Sequence, residues 1–544
     1  MLRIMYRTQH ILLVSFVFAF VSAFPQSASA QSVPTQLLST ESAPAQTVPA
    51  LTASVRSSPV RPTPAKTTPT PSAPAQPISG QTAPTQTSPA QPASAQAPTP
   101  ASPAQSQPQA QSPASPAPQS DPALIKFTDS GWSYHFQFTG IIQWHPSFSS
   151  PYSGQNSLAP AQERAYSVTS TAYLGRKLWH GASLYFNPEM AGGKGVGSTL
   201  GIAGFPNGET FRIGSPEPTV YVARIFLRQH INLDKEHFED LPDDANQVRE
   251  RVSTSRITLS AGKFSVGDFF DDNNVSHDPR VDFMNWALMS NGAYDYAANT
   301  RGYTYGLIAE LVKPGWALRF GTTLEPTYAN GPELDWHYTH TNSENIEFER
   351  RYAIHDHKGV IRLLGYYNVN KAPRYRDVIN NKLNGTDTSM DVVFGKAYGN
   401  KKPGLGLNAE QELNSSVSAF LRLGWNNGKT ATWAFTEIDN SISGGLRIYG
   451  QGWKRPSDNI GVALLSNGIS KDHRDFLAAG GYGFILGDGK LPNYGRENSA
   501  EVFYQTKLFY NLWLTLDYQL VDHPGYNKDR GPVHLFAGRV HIEF

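Results

Sequence analysis

Cysteine is absent from all 544 residues of the chain. That excludes a disulfide framework and a thiolate metal site, and it is compatible with passage through an oxidising compartment. Long hydrophobic runs are missing too. Beyond the N-terminal stretch no apolar run reaches the length of about 18 residues that a membrane-crossing helix needs, so no such helix is expected. Charge of one sign is also lacking. Residues 123–544 carry 41 Lys+Arg and 43 Asp+Glu, a net charge of −2, so the basic footprint of a nucleic-acid binder is absent. No Gly-x-Ser-x-Gly elbow and no Walker A pattern occur. This leaves open a barrel hydrolase with a non-standard triad.

What is present divides the chain into three unlike parts, although length alone would suggest three or four ordinary domains. In residues 1–30, Arg3 and Arg7 precede an apolar stretch from Ile11 to Phe24 and then Ala28-Ser29-Ala30. A basic start, a short apolar core and a small-x-small site read as a cleaved signal peptide, and the core is too short for a membrane anchor. Residues 31–122 hold 21 of the 40 prolines and no aromatic residue. With little apolar mass to offset the entropy of ordering, this Pro/Ala/Gln/Ser-rich segment is expected to be disordered and partly polyproline II. The expected location is the periplasm, as a tail or a cell-wall tether. Residues 123–544 form the third part.

There, alternation of period two recurs. Leu512, Leu514, Leu516, Tyr518 and Leu520 alternate with Asn511, Trp513, Thr515, Asp517 and Gln519. Val417, Ala419, Leu421, Leu423 and Trp425 alternate with Ser416, Ser418, Phe420, Arg422 and Gly424. Successive strand side chains face opposite ways, so each segment has one greasy and one polar face. A soluble sandwich would show the same alternation. Three features favour a membrane barrel. The polar face carries Arg, Glu, Asp and Trp, as a wet lumen would. Aromatics sit near segment ends, at Tyr366-Tyr367 and Phe509-Tyr510, as in an interfacial girdle. A last alternating segment, Phe536 to Phe544, has the form of a closing strand. The expected fold is all-β: a transmembrane antiparallel barrel of about 16 strands, with 14 or 18 also fitting the length.

The region from Gly262 to Leu311 resembles the carbohydrate-selective porin family of the OprB type. The resemblance lies in Gly262-Lys263-Phe264-Ser265-Val266, Asp268-Phe269-Phe270, Asp278-Pro279-Arg280, the run Asp282 to Met289, and Thr300-Arg301-Gly302-Tyr303-Thr304-Tyr305-Gly306. Tyr221 to Gln229 is similar to that family's third or fourth strand, and Tyr185 to Glu189, Arg455 to Gly461 and Glu497 to Phe544 add to the likeness. It implies selective passive diffusion of mono- or oligosaccharides across a bacterial outer membrane. It also implies that arginines, acids and an aromatic narrow the pore. The alternative is an outer-membrane barrel of another class, a hydrolase or an adhesin-like structural barrel. The Pro-rich segment has no counterpart in the resemblance.

Sugars are neutral and rich in hydroxyls, so planar charged groups and aromatic faces suit them. Parity over Val220 to Gln229 puts Arg224, Phe226 and Arg228 on the lumen face and Tyr221, Ala223, Ile225 and Leu227 toward lipid. Tyr185, Asn187 and Glu189 share a lumen face by the same rule. The expected sugar-binding residues are Glu189, Arg224, Arg228, Asp282 and Trp286. The competing reading makes the same residues a structural ion-pair ladder. Asp268, Asp271, Asp272, Asn273 and Asp278 offer oxygens for calcium, but ordinary solvated-loop composition accounts for them better. His337, His340, His355 and His357 lack a third metal ligand nearby in sequence. No cofactor, metal or catalytic group is expected. The expected partners are sugars, outer-membrane lipids and the barrel-assembly machinery, with no nucleic acid, in a monomer or homotrimer.

Overall fold

The structure, a computed structural model, describes residues 130–212 and 214–544. The expected signal peptide and Pro-rich segment lie outside the described residues. In chain order the strands are β1 (Trp132–His145), β2 (Glu163–Trp179), β3 (Ala182–Gly193), β4 (Thr219–Asn232), β5 (Phe238–Leu241) and β6 (Glu250–Ser253). Next come β7 (Arg256–Phe264), β8 (Thr304–Lys313), β9 (Trp316–Thr323), β10 (Asn342–Ile354), β11 (His357–Asn370) and β12 (Asn400–Asn414). Then follow β13 (Val417–Asn426), β14 (Asn440–Tyr449), β15 (Asn459–Gly468), β16 (Glu497–Phe509), β17 (Leu512–Asp522) and β18 (Val533–Glu543). Sixteen of them close into one barrel, while β5 and β6 form a separate hairpin. No helix among the described residues is long and apolar enough to cross a membrane.

The barrel is antiparallel throughout, and β1 pairs with β18 to remove the last edge (Phe138 opposite Ile542, Trp144 opposite Phe536). Closure matters because every backbone N–H and C=O of a spanning segment must find a partner inside the sheet. At one end most strands are joined by tight turns, the main exception being the β4–β7 connection that carries the β5–β6 hairpin. Gly181 (φ +77°) and Gly315 (φ +80°) supply the left-handed conformation that such turns require. At the other end the connections are long.

The expected faces are realised in β13 and β17. Leu421, Leu423, Trp425 and Leu516 are exposed outward, whereas Arg422, Thr515, Asp517 and Gln519 are buried inside. Two readings need correction. Tyr366 points inward, with its hydroxyl on the Ala293 carbonyl (2.7 Å). Only Tyr367 of that pair faces out. In β4 the parity slips at Ala223. The pairing with β3 jumps from Asn187–Arg224 to Pro188–Val222, so the chain carries one extra residue there, a bulge. Pro188 has no N–H to offer the ladder at this point. Arg224, Phe226 and Arg228 therefore face inward as expected, but Tyr221 faces inward as well, and Ala223 is fully buried.

Most inward-facing charges do structural work. On the β8–β12 wall Arg319 contacts Glu310, Glu347 and Glu349 (3.1, 3.0 and 2.9 Å). Arg362 continues the ladder to Glu349 and Glu410 (3.0 and 3.1 Å). Elsewhere wall charges hold the backbone of a long inserted connection, residues 265–303 between β7 and β8. Glu501 accepts the N–H groups of Met284 and Asn285 (2.6 and 3.0 Å), and Glu347 accepts that of Asp271 (2.8 Å). Arg422 donates to the Leu288 and Ser276 carbonyls (both 2.7 Å). Arg539 donates to those of Pro279 and Asp282 (2.6 and 2.7 Å). Phe283 packs between Phe503 and Phe420 (5.0 and 5.6 Å). The insert is thus fixed against the β10–β18 wall. Inside it a single helical turn, α1 (Trp286–Met289), is capped by the Asn285 side chain.

The loop expected from composition to be solvated is solvated only in part: Asp272 is half-exposed and Asp268 partly exposed, while the neighbours of Asp272 are buried. Asp271 is buried and paired with Arg422 (3.1 Å). Asn273 is buried against Asn408 (2.7 Å), and Asp272 faces Arg362 (3.5 Å). The wall therefore selects their positions one by one.

The ladder yields a stability test. Arg319→Met leaves buried Glu347 and Glu349 each short of a partner, which typically costs about 3–5 kcal/mol. The variant should lose its folded, heat-resistant form on gels at a lower temperature than the parent while its single-channel conductance stays the same. An unchanged unfolding temperature would show that the ladder does not stabilise the wall.

Candidate functional site

Because the insert lies against β10–β18, the open part of the lumen lies on the opposite side, beside β2, β3 and β4. A cavity of about 320 Å³ opens there, lined among others by Glu189, Arg224, Asp268, Arg280, Arg301 and Tyr303. Its two banks come from different parts of the chain. Glu189 and Arg224 sit on neighbouring strands β3 and β4. Asp268, Arg280, Arg301 and Tyr303 come from the insert.

Glu189 is the fixed centre of this site. Thr171 donates to its Oε2 (2.6 Å), and Tyr303 donates to its Oε1 (3.0 Å). Tyr221, turned inward by the bulge, donates to Oε1 as well. Arg280 Nη2 reaches Oε2 at 3.2 Å. An ionised carboxylate has about four lone-pair positions, and four donors fill them. Glu189 organises the bank and has no vacant position for a passing hydroxyl.

Arg280 bridges the two banks. Its Nη1 donates to Gln137 and Tyr173 (both 2.9 Å), and its Nε reaches Glu209 (3.1 Å). Burial works against its charge, but Glu209, Tyr173 and Glu189 hold the guanidinium above its ordinary pKa. Burial and then the Glu189 charge push the Tyr303 hydroxyl well above the phenol range, so Tyr303 stays a neutral donor.

Arg224 and Asp268 form the more open pair. Arg224 Nε and Nη2 meet the two Asp268 oxygens at 2.7 and 2.6 Å, a forked geometry that fixes both groups. Their side chains are 13% and 25% exposed, so the pair meets solvent. The guanidinium lies 5.2 Å from the centre of the Tyr303 ring. Asp268 is set by the turn after β7, where its Oδ2 also accepts the Ser265 N–H (3.0 Å) in a capping box. Arg301 stacks over Tyr221 at 3.9 Å and Phe211 at 4.9 Å.

Of the five residues expected at the site, the structure brings Glu189, Arg224 and Trp286 to one cavity. The Trp286 ring stacks on Phe435 (5.4 Å) and donates to the Asn207 carbonyl (3.0 Å). Asp282 is placed elsewhere. It is buried where the insert meets the wall, paired with Arg447 of β14. Arg228 lies along β4 toward the short-turn end, among Tyr185, Phe226 and Phe269. Its Nη1 donates to the Asn246 carbonyl (3.0 Å). Asn246 belongs to the β5–β6 hairpin region, which packs on the same side of the barrel through Asp243–His135 (3.4 Å) and Glu250–Lys177 (2.9 Å). The residues missed are Asp268, Arg280, Arg301, Tyr303 and Tyr221. All five lie inside the segments that carry the family resemblance, so those segments were the available signal. Parity along β4 pointed Tyr221 the other way, toward lipid.

A closed 16-stranded barrel with a greasy outside, a charged lumen and an inserted loop narrowing the passage is the architecture of an outer-membrane porin. Comparison narrows the class. The family profile described as carbohydrate-selective porin, OprB family, matches residues 155–544. The chain belongs to that family, which is one of outer-membrane sugar channels and not a class of enzymes. Among solved structures it is similar to Pseudomonas putida OprB at high pH, with a TM-score of 0.59 and 15% identity over 78% of this chain and 96% of that one. The low-pH structure of the same protein gives 0.42 and 12% over 78% and 95%. The DcaP channel of Acinetobacter baumannii gives 0.42 and 8% over 76% and 98%. A search of curated proteins finds no matching sequence.

Arg280 supplies the test of this geometry. Arg280→Ala removes the bridge between the banks, so conductance per channel should rise with assembly little changed. A conductance equal to the parent's would mean that ions do not pass beside this residue.

Proposed function

We propose that sugars cross the barrel through the cavity between the insert and the β2–β4 wall, and that the Arg224–Asp268 pair is the group that recognises them. The observation carrying this reading is that pair: forked, partly exposed and seated over an aromatic ring. Of the five guanidinium N–H donors, Asp268 takes two, which leaves donors and carboxylate lone pairs side by side for adjacent sugar hydroxyls. Tyr296 and Phe211, both partly exposed and lining the same cavity, offer ring faces to the C–H surface of a sugar. Glu189, Tyr221, Tyr303 and Arg280 hold the site in shape. Trp286 backs it. Arg228 acts lower down, where it holds the β5–β6 hairpin.

Transport is passive diffusion of mono- or oligosaccharides past a weak site. Binding must be strong enough to select and weak enough to release. The first described strand starts at the short-turn end, which in outer-membrane barrels is the periplasmic one. This supports a periplasmic position for the N-terminal segment.

Current recordings with sugar titration test the assignment. A charge-assisted hydrogen bond is typically worth about 1.5–3 kcal/mol. In a wet channel the low end applies, which at 1.4 kcal/mol per tenfold is roughly a tenfold change or less. Arg224→Ala should therefore raise the half-blocking sugar concentration several-fold and shift ion selectivity toward cations, since a positive group leaves a narrow passage. Arg228→Ala should leave sugar block near the parent value. Unchanged block in Arg224→Ala would remove the pair from sugar recognition.

A further inference from the structure

Away from the sugar path, a second pocket of about 210 Å³ lies at the long-loop rim, lined by Arg374, Gly399, Asn400, Lys401, Asn427, Lys429 and Thr430. It is built by backbone pairing between two connections. Arg374 bridges Thr430, the Tyr375 N–H donates to the Lys429 carbonyl (3.1 Å), and the Ala431 N–H donates to the Pro373 carbonyl (2.9 Å). A short helix, α2 (Tyr375–Leu383), starts directly after Arg374. Gly399 adopts φ +92° and has open space where a side chain would stand.

Three exposed cations share this pocket with two amides, and no carboxylate lines it. Neighbouring cations on the same rim are neutralised. Lys371 pairs with Asp335 (2.8 Å), Lys396 with Asp387 (3.7 Å) and Lys471 with Asp475 (2.6 Å). Arg376 of α2 pairs with Asp472 (2.6 Å) on α3 (Lys471–Ala478). Arg374, Lys401 and Lys429 make no ion pair with any described residue. Like charges kept together without counter-charge repel one another, so the pocket is poised for an anion.

Its position narrows the choice. Lys401 lies on the outward face of β12, in line with Leu405, which pairs with Trp425 of β13. Both are strongly exposed, at 62% and 50%, and form the greasy surface directly below. Lys401 stands four residue steps along the strand from Leu405, a rise of roughly 13 Å. That carries the pocket from the acyl region to headgroup level on the outer side.

We propose that this pocket binds a phosphate monoester, presented by a phosphorylated glycolipid headgroup of the outer leaflet. Three cations and two amides suit a dianionic, tetrahedral group through charge-assisted hydrogen bonds, and basic pockets at headgroup level bind anionic lipids for the same reason. A free phosphate in solution presents the same chemistry, and the experiment separates the two sources. The full barrel and the variant Arg374→Ser/Lys401→Ser/Lys429→Ser are purified in detergent and titrated with lipid A bearing its phosphates, dephosphorylated lipid A, and inorganic phosphate, with native mass spectrometry as the readout. The variant is also checked for sugar-blocked conductance, which should match the parent because no pore residue is touched. Lys401→Ser alone is carried alongside in case the triple variant assembles poorly.

The parent should bind phosphorylated lipid A roughly tenfold or more tightly than the triple variant, with Lys401→Ser in between, and the difference should vanish with dephosphorylated lipid A. Displacement by millimolar inorganic phosphate without any lipid preference would keep the phosphate site and move its source to solution, overturning the lipid assignment. Equal binding of phosphorylated lipid A and of phosphate by parent and variants would overturn the proposal.

Discussion

The structure depends on one kind of interaction: charged side chains on the barrel wall that take hold of loop backbone. Carboxylates of β10, β12 and β16 accept loop N–H groups, as Glu347 does from Asp271, Glu410 from Asn274 (2.5 Å) and Glu501 from Met284. Glu497 does the same for the connection between β3 and β4, through Ala203 and Gly204 (2.9 and 2.7 Å). Arg422 and Arg539 take the carbonyls. A loop folded into a lumen loses water from its backbone, and each unpaired polar group would cost free energy. A buried wall charge has the same problem. Each satisfies the other, so the lumen can be polar, filled and specific in shape at once.

That arrangement makes the pore asymmetric. The insert lies on β10–β18, where Phe283, Phe420 and Phe503 seal part of the contact, and the passage is left beside β2–β4. The same logic explains why Glu189 and Arg224, neighbours on adjacent strands, differ in role. Glu189 is saturated by donors from both banks and sets the width. Arg224 and Asp268 use only part of their hydrogen-bonding capacity on each other and keep the rest for what passes.

The barrel was legible because period-two alternation is a local signal repeated in strand after strand. Ser416 to Trp425 and Thr515 to Leu520 show the burial their patterns predict, whereas Leu512, at the short-turn end of β17, is buried. The exceptions have non-local causes. Tyr221 turned inward because Pro188 on the neighbouring strand cannot complete the ladder, which parity along β4 cannot register. Tyr366 turned inward toward a carbonyl of the insert. The site was legible only as segments. Asp278 to Asp282 belongs to a stretch that marked the family, yet within it Arg280 faces the cavity while Asp282 faces Arg447 on the far wall. Two residues of spacing in an irregular loop carry no periodicity that would tell them apart.

The absence of cysteine makes the central claim, a passage confined to one side by a captured loop, directly measurable. Phe211→Cys places a thiol on the open cavity, and Ala463→Cys places one on the β15 wall, where Ala463 is 1% exposed. A small, charged, water-soluble thiol reagent applied during single-channel recording should rapidly reduce the current through Phe211→Cys and leave Ala463→Cys unaffected. Equally fast modification and block at both positions would contradict the account, since it would mean that water reaches the wall the insert is said to cover.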